Sequence, residues 1–88
     1  MPTIIGHHKI TKSAEHWLNS TRRQELFRAH GVTNIRTFVD PQDSTRVALM
    51  MDVADMTTFA AVMKTNEAAE AMAFDGVVPE SLVILVEA

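Results

Sequence analysis

Four histidines, a single tryptophan and no cysteine bound the chemistry open to this chain of 88 residues. Without cysteine there is no thiolate nucleophile, no disulfide and no thiolate metal site. His7 and His8 lie in an alternating stretch, Thr3–Ile10, that reads as a β-strand, so their rings point to opposite faces and cannot share a metal. His8 is the candidate catalytic acid/base and ligand-binding group. Gly6, two residues earlier on the same face, adds no side chain, which leaves room beside a ring that titrates near neutrality. The plainer alternative is a histidine hydrogen-bonded for structure alone. Trp17 supplies either a flat wall for such a space or ordinary core. Arg36 and Asn34 share a strand face with Phe38, where Arg36 could orient a polar ligand group; pairing with Asp52 is the competing reading. Arg22, Arg23 and Arg28 are spread around a helix and read as solvated charges. The six methionines read as adaptable fillers of core or interface. No glycine-rich phosphate loop, nucleophile motif or carboxylate pair at metal-ligand spacing occurs, so neither metal nor cofactor is expected.

The elements that must position these residues are organised around Arg46–Val53. Five consecutive apolar residues there leave no face fit for water, and the run is short and bounded by turn-forming Asp40–Ser44 and the Asp52–Asp55 break, as a central strand requires. Alternation along strand one places Ile4, Gly6, His8 and Ile10 together. Ser13 is placed to cap a helical region over Ala14–His30 that stops at Gly31. Its apolar positions form two stripes, Ala14/Trp17/Leu18/Thr21 and Arg23/Leu26/Phe27/His30, on nearly opposite sides. One straight helix cannot bury both against one sheet. A break near Asn19–Thr21, restarted by a Thr21/Gln24 capping box, would bury both Leu18 and Phe27; an unbroken helix with Phe27 at a subunit interface is the alternative. Val32–Val39 is a second alternating strand, with Thr33, Ile35, Thr37 and Val39 opposite Val32, Asn34, Arg36 and Phe38. Asp40-Pro41 turns it into the central strand. Asp55 caps Met56–Thr65, whose stripe is Met56, Phe59, Ala60 and Met63, Asn66 caps Glu67–Phe74, and Leu82–Val86 forms the last strand. The order β-α-β-β-α-β with right-handed crossovers predicts a ferredoxin-like α+β domain over 1–88, an antiparallel sheet of order 4-1-3-2 with its helices on one face.

A chain this short buries only about 60–65% of its unfolded surface, and strands three and four are apolar on both faces. An open sheet face carrying such side chains predicts a homodimer packed sheet to sheet. A net charge of −3 gives no electrostatic reason to bind nucleic acid or acidic lipid. Apolar runs of five fall far short of the ~20 residues that span a bilayer, and Met1-Pro2-Thr3 has no basic leader, so a cytoplasmic address and no membrane partner are expected.

In this order, His8-Lys9-Ile10, Trp17, Gly31-Val32, Asp40-Pro41 before Val47, Phe59, Ala71-Met72, Gly76-Val77 and Pro79 resemble the dimeric α/β-barrel proteins, including the antibiotic-biosynthesis-monooxygenase-like group and many uncharacterised members. The resemblance covers nearly the whole chain and implies a dimeric barrel. It does not select a chemistry, since that superfamily includes cofactor-free oxygenases, haem-degrading enzymes, isomerases and polyketide cyclases. No catalytic set carries over residue by residue. Two functions follow: a metal-free homodimer that binds or transforms a small, mostly apolar molecule between sheet and helices, or a non-catalytic structural or regulatory dimerisation module. An open cavity at His8 would favour the first, a packed one the second.

Overall fold

The computed structural model describes residues 2–88. Its elements run β1 (Thr3–Lys9), α1 (Ala14–Leu18), α2 (Arg22–Ala29), β2 (Val32–Asp40), β3 (Asp43–Val53), α3 (Met56–Met63), α4 (Asn66–Asp75), a 3-10 turn (Pro79–Ser81) and β4 (Val83–Val86). The sheet is ordered β2-β3-β1-β4, which is 4-1-3-2 read from the other edge. Every neighbouring pair is antiparallel. This is the α+β ferredoxin-like arrangement that the crossover rules predict.

Local chemistry sets most boundaries. Ser13 Oγ accepts from His16 N–H at the start of α1, and Asp55 Oδ1 accepts from Thr57 N–H at 2.9 Å at the start of α3, satisfying backbone donors that a helix cannot satisfy itself. Gly31 and Gly76 end α2 and α4 with φ of 81° and 78°. At Gly76 a side chain is excluded by space as well, since a Cβ would come within 3.0 Å of Lys12 N. The cap of α4 differs from expectation: Thr65, not Asn66, accepts from Ala68 N–H, and Asn66 is already helical.

The long first helical region is broken as its opposed stripes require, with Asn19, Ser20 and Thr21 between α1 and α2. Phe27 is buried, but Leu18 is 43% exposed, because α1 is too short to present more than Trp17 inward. Thr21 makes no capping bond through its side chain, so the expected capping box does not form. In α3 the inward stripe includes Val62, and Ala60 is exposed.

Strand β2 departs from simple alternation. Thr33 pairs with Asp52 and Arg36 with Met50, so one extra residue is inserted. Asn34 takes φ of 54°, the left-handed region that asparagine tolerates better than most residues. The bulge puts Val32 on the same face as Ile35 and Val39, whereas strict alternation sets it opposite them. The core lies between this face and the helices: Ile4, Ile10, Trp17, Phe27, Val32, Val47, Leu49, Met51, Val53 and Phe59 form one buried cluster.

Candidate functional site

Register along β1 decides which histidine faces the helices. Ile4, Gly6 and His8 stand opposite Met51, Leu49 and Val47 of β3, all buried. His7, one residue over, pairs with Ala48 and Val83 on the other face. Gly6 leaves a gap in the inner layer. Its nearest potential Cβ neighbour, Ile84 Cγ1, would be 3.9 Å away.

That gap is part of a cavity between the sheet and the helices, walled by Gly6, Leu49, Met51, Phe59 and Ile84, with His8, Trp17, Arg23 and Asp75 as its polar residues. The volume open to the centre of a water-sized sphere is about 50 Å³, where one water needs about 10–15 Å³. Ile84, which shares the inner face with Gly6 and walls the cavity, remains 38% exposed. Helices therefore leave the inner side of the last strand partly exposed.

The helix break assembles the polar end of the cavity. In a continuous helix at roughly 100° per residue, residues 17 and 23 would point about 120° apart; the break turns Trp17 and Arg23 toward one space. Trp17 is fully buried, with its ring edge-on to His8 at 5.9 Å between centroids. The Arg23 guanidinium stacks over that indole at 4.4 Å, donates from Nη2 to the Trp17 carbonyl at 3.0 Å and from Nη1 to Asp75 Oδ2 at 3.1 Å. Arg23 and Asp75 are 5% and 2% exposed, so this is a buried ion pair, and the reading of Arg23 as a solvated charge is corrected. Burial pushes the Arg23 guanidinium below its ordinary value, and Asp75 opposes that shift.

His8 sits at 7% exposure. Its Nδ1 lies 3.3 Å from the Lys9 carbonyl oxygen. A carbonyl only accepts, so Nδ1 carries the proton and Nε2 keeps the free lone pair. Burial lowers the pKa of His8 below 6.5, reinforced by the Arg23 charge and opposed by the Lys9 hydrogen bond and Asp75. The ring is neutral at pH 7, which suits it to accept a proton or a hydrogen bond.

Arg36 lies elsewhere. It is exposed on β2, its guanidinium 5.7 Å from the Phe38 ring. Asp52 is held instead by Asn34 Nδ2 at 2.8 Å and Thr3 Oγ1 at 2.7 Å. The structure thus brings together His8 and Trp17, leaves Arg36 apart, and adds Arg23 and Asp75. One sequence signal pointed to Asp75: an acidic residue in the last turn of a helix opposes the dipole, so it needs a tertiary reason. Among the described residues, no group of three or more histidines and carboxylates is gathered to hold a metal ion, and no helix is long and apolar enough to cross a membrane.

Comparison with solved structures places the chain's sheet and helices in the fold of the antibiotic-biosynthesis-monooxygenase-like proteins. It superposes on such a protein from Bordetella bronchiseptica with a TM-score of 0.72 at 13% identity, covering 99% of this chain and 94% of that one. A similar protein from Nitrosomonas europaea gives 0.68 at 17% identity, over 100% and 97%. SnoaB, a cofactor-independent oxygenase from Streptomyces nogalater, gives 0.67 at 7% identity, over 98% and 87%. At these identities the likeness is one of fold. No family model matches the chain, and neither does any curated protein.

Proposed function

We propose that this protein is a homodimer that binds or transforms a small, mostly apolar molecule in the cavity between sheet and helices, without a metal. The observation that carries this reading is the cavity itself. It is apolar on most of its wall, and its lining residues include His8, a neutral imidazole with its proton on Nδ1. A space fully packed around His8 would have favoured a purely structural module. Trp17 acts as wall, and His8 as base or polar anchor. Arg36 has no part at this cavity.

The homodimer is supported by the outer sheet face. Ile5, Phe38, Val83 and Leu85 are 37%, 42%, 41% and 53% exposed and lie together by register. Fully burying such a side chain is worth about 1.5–3 kcal/mol, and roughly half of that is left for a second copy packed sheet to sheet to gain on each side. The fold's likeness to a cofactor-independent oxygenase is in keeping with a metal-free reaction.

The test measures thermal stability with a panel of small aromatic and polyketide-like compounds, for the native chain and for His8→Ala. Ligand-induced stabilisation that vanishes in His8→Ala is expected. No stabilisation of the native chain, together with a destabilised His8→Ala, would end the reading built on His8. Sedimentation equilibrium at micromolar concentration should give a dimer, and a stable monomer would refute the association.

A further inference from the structure

The outer face of the sheet changes character along its strands. Its middle is apolar: Ile5, Phe38, Val83 and Leu85 are exposed, with Ala48 and Met50 half-buried between them by register. One end is cationic, where Lys9 stands opposite Arg46 and both are exposed. The other end is anionic. Asp52 stands opposite Thr3, and on the far side of Thr3 the Glu87 N–H donates to the Thr3 carbonyl at 2.9 Å. That bond extends the ladder and sets exposed Glu87 on the same face as Leu85. The length of β1, Thr3–Lys9, separates the two ends by about 20 Å at ~3.3 Å per residue. Among the described residues, Lys9, Arg46 and Glu87 make no ion pair within the chain. Asp43 lies near both cations, but its carboxylate accepts from Thr45 N–H and O–H. Edge strand β2 carries the reverse sense, with Arg36 beside Met50 toward the anionic end and Asp40 beside Asp43 at the cationic end.

An occupant of the apolar middle must also meet both charged ends. A polyanion or a polycation would match one end and oppose the other, whereas the chain itself matches both. Two copies packed face to face about a two-fold axis in the interface plane have two aligned arrangements. With the axis along the strands, like ends meet, and Lys9 and Arg46 lie over their own counterparts. With the axis across the strands, the strands of the two copies run antiparallel, and each cationic end lies over the other copy's anionic end. The same rotation brings Asp40 of one copy toward Arg36 of the other. We infer that the outer face is self-complementary: a second copy of this chain docks on it with antiparallel strands, Lys9 and Arg46 of each copy against Asp52 and Glu87 of the other. This rests on the homodimer proposed above and fixes its alignment. Charges at the margin of an interface select register and orientation more than affinity; the apolar middle supplies the affinity.

Sedimentation equilibrium of four full-length chains tests the alignment: the native chain, Lys9→Glu with Arg46→Gln, Asp52→Asn with Glu87→Lys, and all four substitutions together. Asp52→Asn keeps an acceptor for the Thr3 hydroxyl. Each double variant gives both ends the same sign and should raise the dimer dissociation constant at least about tenfold. The fourfold chain has its ends exchanged and should return to within about threefold of native. If like ends met instead, each double variant would relieve a like-charge contact. Double variants that associate as tightly as the native chain, or more tightly, would overturn the alignment while leaving the dimer standing. A native chain that stays monomeric would overturn both. A carbodiimide, which joins an amine directly to a carboxylate, makes the test independent of how the variants fold. In the native dimer it should link Lys9 to Asp52 or Glu87, which are too far apart within one chain to be joined. Dimers in which Lys9 is joined only to carboxylates of its own end would overturn the inference.

Discussion

The two faces of the sheet are built from the same strands, one residue out of step, and they have opposite characters. The inner face puts Ile4, His8, Val47, Leu49 and Met51 under the helices, all buried. The outer face puts Ile5, Phe38, Val83 and Leu85 in the open, with His7 among them by register. Because the side-chain period of a strand is two, adjacent His7 and His8 belong to different surfaces and carry different expectations. Apolar content alone does not separate the faces; what covers each one does. Helices cover the inner face along β1 and β3 with a gap left at Gly6, and the outer face stays exposed.

The inner face is most easily broken at its ion pair. Asp75→Ala leaves the Arg23 guanidinium buried without its counter-charge, and urea denaturation should show a loss of about 3–5 kcal/mol. A loss under about 1 kcal/mol, the range of a solvent-exposed pair, would mean that water reaches the guanidinium and that the polar end of the cavity is not sealed.

The outer face is broken by a charge. Leu85→Glu should raise the dimer dissociation constant by at least about a hundredfold, since the apolar contact is lost on both copies. Ile84→Glu changes the adjacent residue on the cavity side and should leave association intact. If sedimentation shows both variants equally monomeric, the two faces are not the independent surfaces described.

A pH titration sharpens the comparison. His8 has a folded-state pKa below its ordinary 6.5, so the unfolded chain binds more protons between those two values and stability rises with pH there. Stability should be level above about pH 7, fall as pH drops through 6.5, and stop falling below the folded-state value. The charges that bear on the ring are Arg23, Asp75 and His7. In His8→Gln that limb should disappear. Asp43, Asp52 and Asp55 are held low mainly by hydrogen bonds from Thr45, Asn34 and Thr57 respectively; their contribution is lost only below about pH 4, a separate window that His8→Gln leaves in place.

The smallest effect is expected at Gly6. A Cβ there would meet only ordinary contacts at 3.9 Å or more, and its φ is not positive. Gly6→Ala should therefore change stability by no more than about 1 kcal/mol, in the stabilising direction, while narrowing the cavity and weakening any ligand. Tighter ligand binding in this variant would mean that Gly6 does not line the occupied space.

What the sequence determined by itself was whatever depends on neighbours in the chain. Ser13 and Asp55 as caps, Gly31 and Gly76 as stops, the break between α1 and α2 and the grouping of His8 with Ile4, Gly6 and Ile10 on one face of β1 all follow from hydrogen bonds or periodicities spanning a few residues. Strand order followed as well, because crossover handedness leaves few alternatives. The β-bulge at Asn34 was not visible, because an insertion in one strand is defined only against its partner β3. Leu18 was expected to be buried, but how much of a stripe is covered depends on helix length and on what packs above it. The Arg23–Asp75 pair was missed for the same reason in its strongest form. The two residues are 52 positions apart, and an arginine on a mixed helical face reads as solvated until another helix brings a carboxylate beside it. Electrostatic pairing in the interior is set by three-dimensional proximity and desolvation, so only the packing of α2 against α4 could decide it.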